Sequence, residues 1–265
     1  MAAGRILTRE PDGVRGMRMT AVTAAAIACM VGATLNIPAA RAESVDMLLV
    51  LAADVSRSID EAEFDLQRKG YAAAITDPEV VRAIIGGTHH AIAVTFVEWS
   101  GAADQKIVVD WTVVRDGEGA DGIAAAMLAA PRSFIGRTSI SAAIDFAMER
   151  FAAAPAASDK RIIDISGDGT SNAGRAVTEA RDEAVAKGVT INGLAIINTQ
   201  ASPGYTVHVQ PPGGLPKYYE ENVIGGPGAF LLKVDDFQSF AEAITRKLVT
   251  EIAGARVPQQ TAELP

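Results

Sequence analysis

Strand-like runs that are apolar at nearly every position constrain this chain more than any other feature. Ala-rich stretches with helical periodicity separate them, so strands and helices alternate along the sequence. Strands are predicted at 45–53, 91–98, 106–112, 161–166 and 189–197, and helices at 60–75, 119–129, 139–153, 172–187 and 235–252. Continuously apolar strands are typical of a parallel sheet whose two faces are both covered by helices. The sequence therefore predicts an α/β fold with a doubly wound, mostly parallel sheet.

The alternation breaks at 199–232, where prolines, glycines and tyrosines concentrate. This segment also carries enough aromatic and aliphatic side chains to pack, so we expect an ordered excursion rather than a flexible linker. Residues 43–254 are predicted to form one domain that includes the excursion, and 255–265 a disordered tail.

The N-terminus has the pattern of a secretory signal peptide. Four arginines precede an apolar stretch at 21–33, and Ala40-Arg41-Ala42 then places small residues where a signal peptidase cleaves. We expect cleavage after Ala42, a periplasmic or secreted location, and no transmembrane segment in the mature chain, because the apolar stretch is too short to be an anchor. The alternative is a lipoprotein attached at Cys29. Since Cys29 is the only cysteine, no disulfide can brace the fold.

The charge of the chain limits its partners. Its formal net charge is −8, and removal of residues 1–42 takes away more basic than acidic residues. A strongly acidic protein is a poor ligand for nucleic acid or for anionic membrane surfaces.

Oxygen-bearing side chains follow the predicted strands at three places. Asp54, Ser56 and Ser58 lie on the turn that leaves the first strand, Thr138 precedes a predicted helix, and Asp168 stands between two glycines after the strand 161–166. The carboxyl ends of parallel strands are where α/β sheets bind ligands, and oxygen donors suit Mg²⁺, Mn²⁺ or Ca²⁺. The spacing therefore predicts one cation site built from these five residues.

This donor set favours binding over hydrolysis. Three neutral hydroxyls only partly offset a divalent charge, so the ion keeps its affinity for a further ligand, such as an Asp or Glu carboxylate of a partner protein. The three segments contain no His or Lys that is placed to activate water.

The pattern Asp-x-Ser-x-Ser, then a Thr before a helix, then Asp-Gly after a strand, resembles the von Willebrand factor type A domain over about residues 45–252. Among such domains, the segments around Gly167-Asp168-Gly169 and Tyr218-Tyr219 most resemble the bacterial DUF1194 group. The resemblance implies a doubly wound sheet and a metal-ion-dependent adhesion site with Asp54, Ser56, Ser58, Thr138 and Asp168 as ligands. Arg57 departs from the pattern, because that position is usually Gly.

Other interpretations stay open at this stage. One is a Mg²⁺-dependent hydrolase or phosphatase with Asp54 as nucleophile and Asp168 on the ion. Another is a scaffold of the same fold that has lost its metal and uses 199–232 as its interaction surface. Asp164 shares a strand face with Ser166 and Asp168, so it either orients a group of the site through a hydrogen bond or is an unrelated strand-end carboxylate.

Overall fold

The computed structural model describes residues 42–197 and 211–254. The strands in these residues are β1 (Glu43–Ser44), β2 (Leu48–Asp54), β3 (Ile92–Trp99), β4 (Gln105–Val114), β5 (Ala156–Ala157), β6 (Arg161–Gly167), β7 (Val189–Ile196) and β8 (Leu231–Val234). The helices are α1 (Glu61–Ile75), α2 (Pro78–Ile85), α3 (Gly117–Ala129), α4 (Ile140–Ala152), α5 (Val177–Ala186), α6 (Gly214–Asn222) and α7 (Phe240–Ala253). None of the helices within these two ranges is both long and apolar enough to cross a membrane.

Six strands form one sheet in the order β4-β3-β2-β6-β7-β8. β4 runs antiparallel to β3, and every other neighbouring pair is parallel. β1 and β5 pair separately as a short parallel ladder. The chain places β3 on one side of β2 and later places β6 on the other, so the winding direction switches at β2. A switch of this kind opens a crevice at the carboxyl ends of the two strands, where open α/β sheets bind ligands.

Helices cover both faces of the sheet. Every residue of β2 is buried, and its side chains alternate between two core clusters. Leu49 and Leu51 pack on the face that carries α1, α2, α3 and α7, whereas Val50 and Ala52 pack on the face that carries α4, α5 and α6. This arrangement confirms the predicted α/β fold with a doubly wound, mostly parallel sheet.

Five elements have no counterpart in the sequence prediction, and two of them are the two-residue strands β1 and β5. Helix α2 has only eight residues, too few to give a clear helical period, and is specified instead by its start: Pro78 follows Asp77, whose side chain accepts a hydrogen bond from the backbone of Glu79. Helix α6 and the beginning of β8 lie in the predicted excursion at 199–232. Its residues 199–210 and the predicted tail at 255–265 lie outside the described residues.

Two helices begin later than predicted because their first residues are engaged elsewhere. Helix α5 begins at Val177 rather than 172, since the backbone amides of Asn172 and Ala173 both donate to the Thr138 carbonyl. Helix α7 begins at Phe240 rather than 235. The segment before it forms a turn in which the Asp236 carboxylate accepts a hydrogen bond from the backbone of Ser239.

Candidate metal centre

The site lies at the carboxyl ends of the neighbouring strands β2 and β6. Asp54 is the last residue of β2, and Asp168 directly follows Gly167, the last residue of β6. The strands are parallel and in register with Ala53 opposite Ser166, so their ends reach the same edge of the sheet. This pairing brings together two carboxylates that are far apart in sequence.

The five predicted ligands form one hydrogen-bonded cluster. Ser58 Oγ donates to Asp168 Oδ1 at 2.8 Å and lies 3.2 Å from Ser56 Oγ. Ser56 Oγ in turn accepts from Thr138 Oγ1 at 3.3 Å, and the Ser56 amide donates to Asp54 Oδ1 at 2.7 Å. Four of the five residues are almost fully buried, and Ser58 is half-buried. The structure thus brings together all five residues that the sequence pattern selected.

Backbone hydrogen bonds join the three loops that carry the cluster, which we name the first loop (55–59), the second loop (130–139) and the third loop (168–176). The Arg57 amide of the first loop donates to the Gly136 carbonyl of the second at 3.0 Å. Thr138 and Asn172 join the second and third loops, since the Thr138 amide donates to Asn172 Oδ1 at 3.0 Å and the Thr138 carbonyl accepts from the Asn172 amide at 2.8 Å. The site oxygens are therefore held by a connected backbone framework.

Arg132 fixes the first loop through its guanidinium group. Its Nη2 donates to the carbonyls of Val55 and Ser56 at 3.0 Å each and to that of Ile59 at 2.8 Å. The Arg132 side chain is nearly buried, with the guanidinium carbon 5.4 Å from the Phe64 ring centroid. A planar guanidinium is suited to gather several carbonyls at once. The sequence pattern does not indicate Arg132, because an arginine in an irregular segment gives no sign of which backbone it contacts.

The second loop is also tied to the end of β3 through a buried ion pair. Arg68 Nε donates to Glu98 Oε1 at 2.9 Å, and its Nη1 donates to the carbonyl of Ala130 at 3.1 Å. Glu98 Oε2 accepts from the Ser133 amide at 3.0 Å. The buried Glu98 therefore holds the second loop, which carries Thr138, through its hydrogen bond to Ser133.

Arg57, the departure from the family pattern, does not occupy the site. Its side chain is exposed, while Ser56 beside it is buried and faces the other ligands. Ser56 and Arg57 are neighbours in the first loop, and their side chains lie on opposite sides of it. The Arg57 backbone amide donates to the Gly136 carbonyl, which fixes the loop in this orientation. The space among the five oxygens is thus not filled by the guanidinium.

Helix α6 supplies two tyrosines to the third-loop side of the site. The Ser171 amide donates to Tyr218 Oη at 3.3 Å. Tyr219 is fully buried, and an ideal Cβ built on Gly167 would lie 2.7 Å from its Oη and 3.1 Å from Asp54 Oδ2. A glycine is thus required at the end of β6 because the Tyr219 hydroxyl comes so close. The Tyr218-Tyr219 pair in the excursion was the available sequence signal, but it did not indicate a role.

Asp164 is a carboxylate unrelated to the cation site, as one of the two interpretations had it, but it lies within β6 rather than at a strand end. It is fully buried, and its Oδ1 lies 2.7 Å from Lys247 Nζ of α7. Lys247 also pairs with Glu251 at 2.6 Å, and Glu251 accepts from Asn192 Nδ2 of β7 at 2.7 Å. Burial raises the pKa of Asp164 to about 7, and Glu251 acts in the same direction, whereas Lys247 opposes the shift. Asp164 therefore belongs to a buried network that fastens α7 to the sheet, and Ser166 accepts instead from Tyr71.

The donor set fits a hard divalent cation. Ligand oxygens of octahedral Mg²⁺ lie about 3 Å apart along each edge, given an ion-to-oxygen distance of about 2.1 Å. The oxygen separations within the cluster, 2.8 Å to 3.3 Å, are of this size. Across 42–197 and 211–254, no group of three or more His, Cys, Asp or Glu side chains is arranged to hold a metal. A cation at this site would depend on hydroxyls as much as on carboxylates.

Solved structures share the fold. Proximal thread matrix protein 1 from the mussel byssus matches at 17% identity with a TM-score of 0.56, over 80% of this chain and 48% of that chain. Another structure of it, described as having a zinc-occupied MIDAS motif, matches at 17% identity with a TM-score of 0.55, over 81% and 50%. The open conformation of the pilus adhesin SpaC from Lactobacillus rhamnosus GG matches at 13% identity with a TM-score of 0.54, over 80% and 31%. This chain thus spans half the length of these structures or less.

A further structure and a family profile identify what this chain is similar to. A von Willebrand factor type A protein from Catenulispora acidiphila has the same fold at 13% identity, with a TM-score of 0.53 over 78% of this chain and 43% of that one. No curated protein matches this chain. The profile described as "Protein of unknown function (DUF1194)" matches residues 44–256, and the chain therefore belongs to the DUF1194 family, with a von Willebrand factor type A fold.

Proposed function

We propose that this protein is a periplasmic or secreted protein-binding module of the adhesion type. In this proposal Asp54, Ser56, Ser58, Thr138 and Asp168 bind one Mg²⁺, or Mn²⁺ or Ca²⁺ in its place, and a partner protein completes the ion's coordination with an Asp or Glu carboxylate. The observation that carries the proposal is the single hydrogen-bonded cluster that brings all five residues together at the edge of the sheet.

The chemistry of the cluster supports binding rather than turnover. Two carboxylates and three neutral hydroxyls leave a divalent ion electrophilic enough to attract another anionic oxygen. The first, second and third loops contain no His or Lys to act as a general base or acid. The residue two positions after Asp54 is Ser56, whereas an aspartyl-phosphate mechanism uses a second Asp there.

The rim of the site has the chemistry of a surface for an acidic partner. Arg57 of the first loop and Arg137 of the second loop are both exposed, and Ile135 of the second loop is 65% exposed. Two positive charges on a protein with a net charge of −8 favour approach of an acidic segment at this point. An exposed isoleucine offers an apolar contact to the same segment.

The nature of the structurally similar proteins supports the proposal. One mussel byssus structure has a zinc-occupied MIDAS motif, and SpaC is a pilus adhesin. Metal binding and adhesion are properties of those proteins, and their low identities extend only the fold to this chain. We carry the functions over as part of the proposal because the five oxygen ligands are present here in one cluster.

A selection from random displayed peptides tests the binding function. The purified protein is used with Mg²⁺ and, in parallel, with EDTA, and Ser56→Ala serves as the matched control. We expect enrichment of peptides that contain Asp or Glu, with binding lost in EDTA and in the variant. Enriched peptides without carboxylates, or binding that survives chelation, would contradict the proposal. Release of phosphate from p-nitrophenyl phosphate, lost in Asp54→Ala, would favour the hydrolase instead.

The location is tested separately. We propose export with cleavage after Ala42, so the N-terminal sequence of the protein recovered from the periplasm or the medium should begin at Glu43. Recovery of the chain in the cytoplasm with residues 1–42 intact contradicts export. A fatty-acylated N-terminus at Cys29 in the membrane fraction indicates the lipoprotein alternative.

A further inference from the structure

The Tyr219 hydroxyl is a buried polar group that none of the described residues satisfies. The residue has no exposed surface, and its Oη has no hydrogen-bond partner among the described residues. A buried hydroxyl without a partner loses its hydrogen bond to water and gains nothing in exchange, which lowers the stability of the fold. Phenylalanine would fill the same volume without this loss, so the hydroxyl calls for a reason other than packing.

The hydroxyl is directed toward the cation cluster. Gly167 shows where the hydroxyl lies. A Cβ built on Gly167 would be 2.7 Å from Tyr219 Oη and 3.1 Å from Asp54 Oδ2, so the hydroxyl and the Asp54 carboxylate lie beside the same residue. Burial raises the pKa of Tyr219 well above its ordinary value, and the negative charges of Asp54 and Asp168 raise it further. A tyrosine hydroxyl is ordinarily protonated at neutral pH, so Tyr219 offers a hydrogen-bond donor at this edge of the site.

We propose that Tyr219 is a positioning residue of the cation site, whose hydroxyl donates a hydrogen bond to a water molecule in the coordination shell of the bound ion. This inference rests on the proposed function, because it needs the five ligands to bind a divalent cation. Mg²⁺ characteristically keeps several of its waters when it binds to a protein, and such waters need acceptors and donors around them. The arrangement makes α6, an element of the excursion, part of the cation site.

Tyr71 provides a matched control on the other face of the sheet. It is also fully buried, and its ring packs edge-on against Phe96 at 4.9 Å and Phe240 at 5.2 Å. Unlike Tyr219, its hydroxyl has a partner in the protein, Ser166 Oγ at 2.8 Å. Removal of the Tyr219 hydroxyl should therefore weaken cation binding without lowering stability, whereas removal of the Tyr71 hydroxyl should lower stability without weakening cation binding.

The test compares Tyr219→Phe and Tyr71→Phe with the parent protein. Affinity for Mg²⁺ and Mn²⁺ is measured by calorimetry, and the thermal midpoint is measured in EDTA. For Tyr219→Phe we expect affinity about tenfold weaker, the usual loss when an outer partner of a metal site is removed, with a midpoint in EDTA that is unchanged or higher. For Tyr71→Phe we expect unchanged affinity and a lower midpoint, because Ser166 loses its donor.

Each other outcome has a distinct meaning. If the parent and Tyr219→Phe bind the ions equally, the inference is overturned while the proposed function stands. If both tyrosine variants lose affinity to the same extent, the effect is not specific to Tyr219 and the inference is again overturned. If the parent takes up neither ion, the proposed function itself fails, and the role of Tyr219 fails with it.

Discussion

Ser58 and Asp168 are 110 positions apart in the chain, and the Ser58 hydroxyl donates a 2.8 Å hydrogen bond to the Asp168 carboxylate. The contact closes the gap between the first and third loops. While its proton is directed at Asp168, the Ser58 oxygen keeps lone pairs for another partner, and it lies 3.2 Å from the Ser56 oxygen. These hydrogen bonds thus hold the two hydroxyls and the Asp168 carboxylate in one arrangement.

Arg132→Lys should weaken cation binding although Arg132 is not a ligand. A lysine ammonium cannot reproduce the guanidinium geometry that holds the carbonyls of Val55, Ser56 and Ile59, so the first loop loses its fixed shape. We expect about tenfold weaker Mg²⁺ affinity in a calorimetric titration. The control is Arg115→Lys, which alters an exposed pair with Glu43 and should bind as the parent does. Equal affinities in the two variants would show that Arg132 does not support the site.

Arg57→Ala should leave the cation site intact. The side chain is exposed, and its removal takes away only a positive charge near the ion. We expect the Mg²⁺ affinity to rise by no more than about fivefold, as for other exposed charges, and the association rate of an Asp- or Glu-containing peptide to fall. Surface plasmon resonance at low and high salt checks the rate, and the difference from the parent should shrink at high salt. A strong loss of Mg²⁺ binding would mean that Arg57 helps to shape the site.

Gly167→Ala should destabilise the protein through Tyr219. The added methyl group would meet the Tyr219 hydroxyl at 2.7 Å, and overpacking of this kind costs about 1–3 kcal/mol of unfolding free energy. Tyr219→Phe in the same chain removes the hydroxyl and should restore part of the loss in urea unfolding. Gly122→Ala is the control, since a Cβ at Gly122 in α3 meets nothing within 4 Å and should stabilise the helix slightly. If the losses of unfolding free energy from Gly167→Ala and Tyr219→Phe simply add in the double variant, the close approach of the Tyr219 hydroxyl to position 167 is contradicted.

The buried Asp164 should make stability depend on pH. Burial raises its pKa in the folded protein to about 7, above its value in the unfolded chain, so the folded state holds an extra proton between about pH 4 and pH 7. The contribution of Asp164 is therefore complete at low pH and is lost as the pH rises toward 7, at no more than about 1.4 kcal/mol per pH unit. Lys247 has a raised pKa, so its own contribution is lost only in strongly alkaline solution.

Asp164→Asn tests this dependence. Urea unfolding at pH 5, 6, 7 and 8 gives the free energy of unfolding of the parent and the variant. The free energy of unfolding of the parent should fall relative to that of the variant from pH 5 to pH 7 and level off toward pH 8, because only the parent loses the proton. Parallel pH profiles for the two proteins would show that Asp164 does not titrate in this range.

The sequence was sufficient for the features that depend on local pattern. The apolar runs of β2 and β6 predicted buried parallel strands, and the polar residues after them predicted where Asp54 and Asp168 meet. A parallel sheet makes this inference possible, since neighbouring strands end at the same edge. Ser56 and Ser58 followed from the turn after β2, and Thr138 followed from its position before the predicted helix.

The features that depend on long-range contacts were beyond the sequence pattern. Arg132 reaches the first loop only because the second loop folds back over it, and Tyr219 reaches Gly167 only because α6 packs against the sheet. Lys247 was not identified as the partner of Asp164, since its helical neighbours give no sign of which strand α7 covers. Pairings of this kind require the positions of whole elements, which periodicity does not supply.

Calorimetric titration of the purified protein with Mg²⁺ and Mn²⁺, beside Ser56→Ala and Thr138→Ala, tests the cation site most directly. We expect weak but measurable uptake of one ion by the parent and much less by either variant, together with a higher thermal midpoint of the parent alone when the ion is added. No uptake by the parent, or equal uptake by all three proteins, would contradict the proposed cation site.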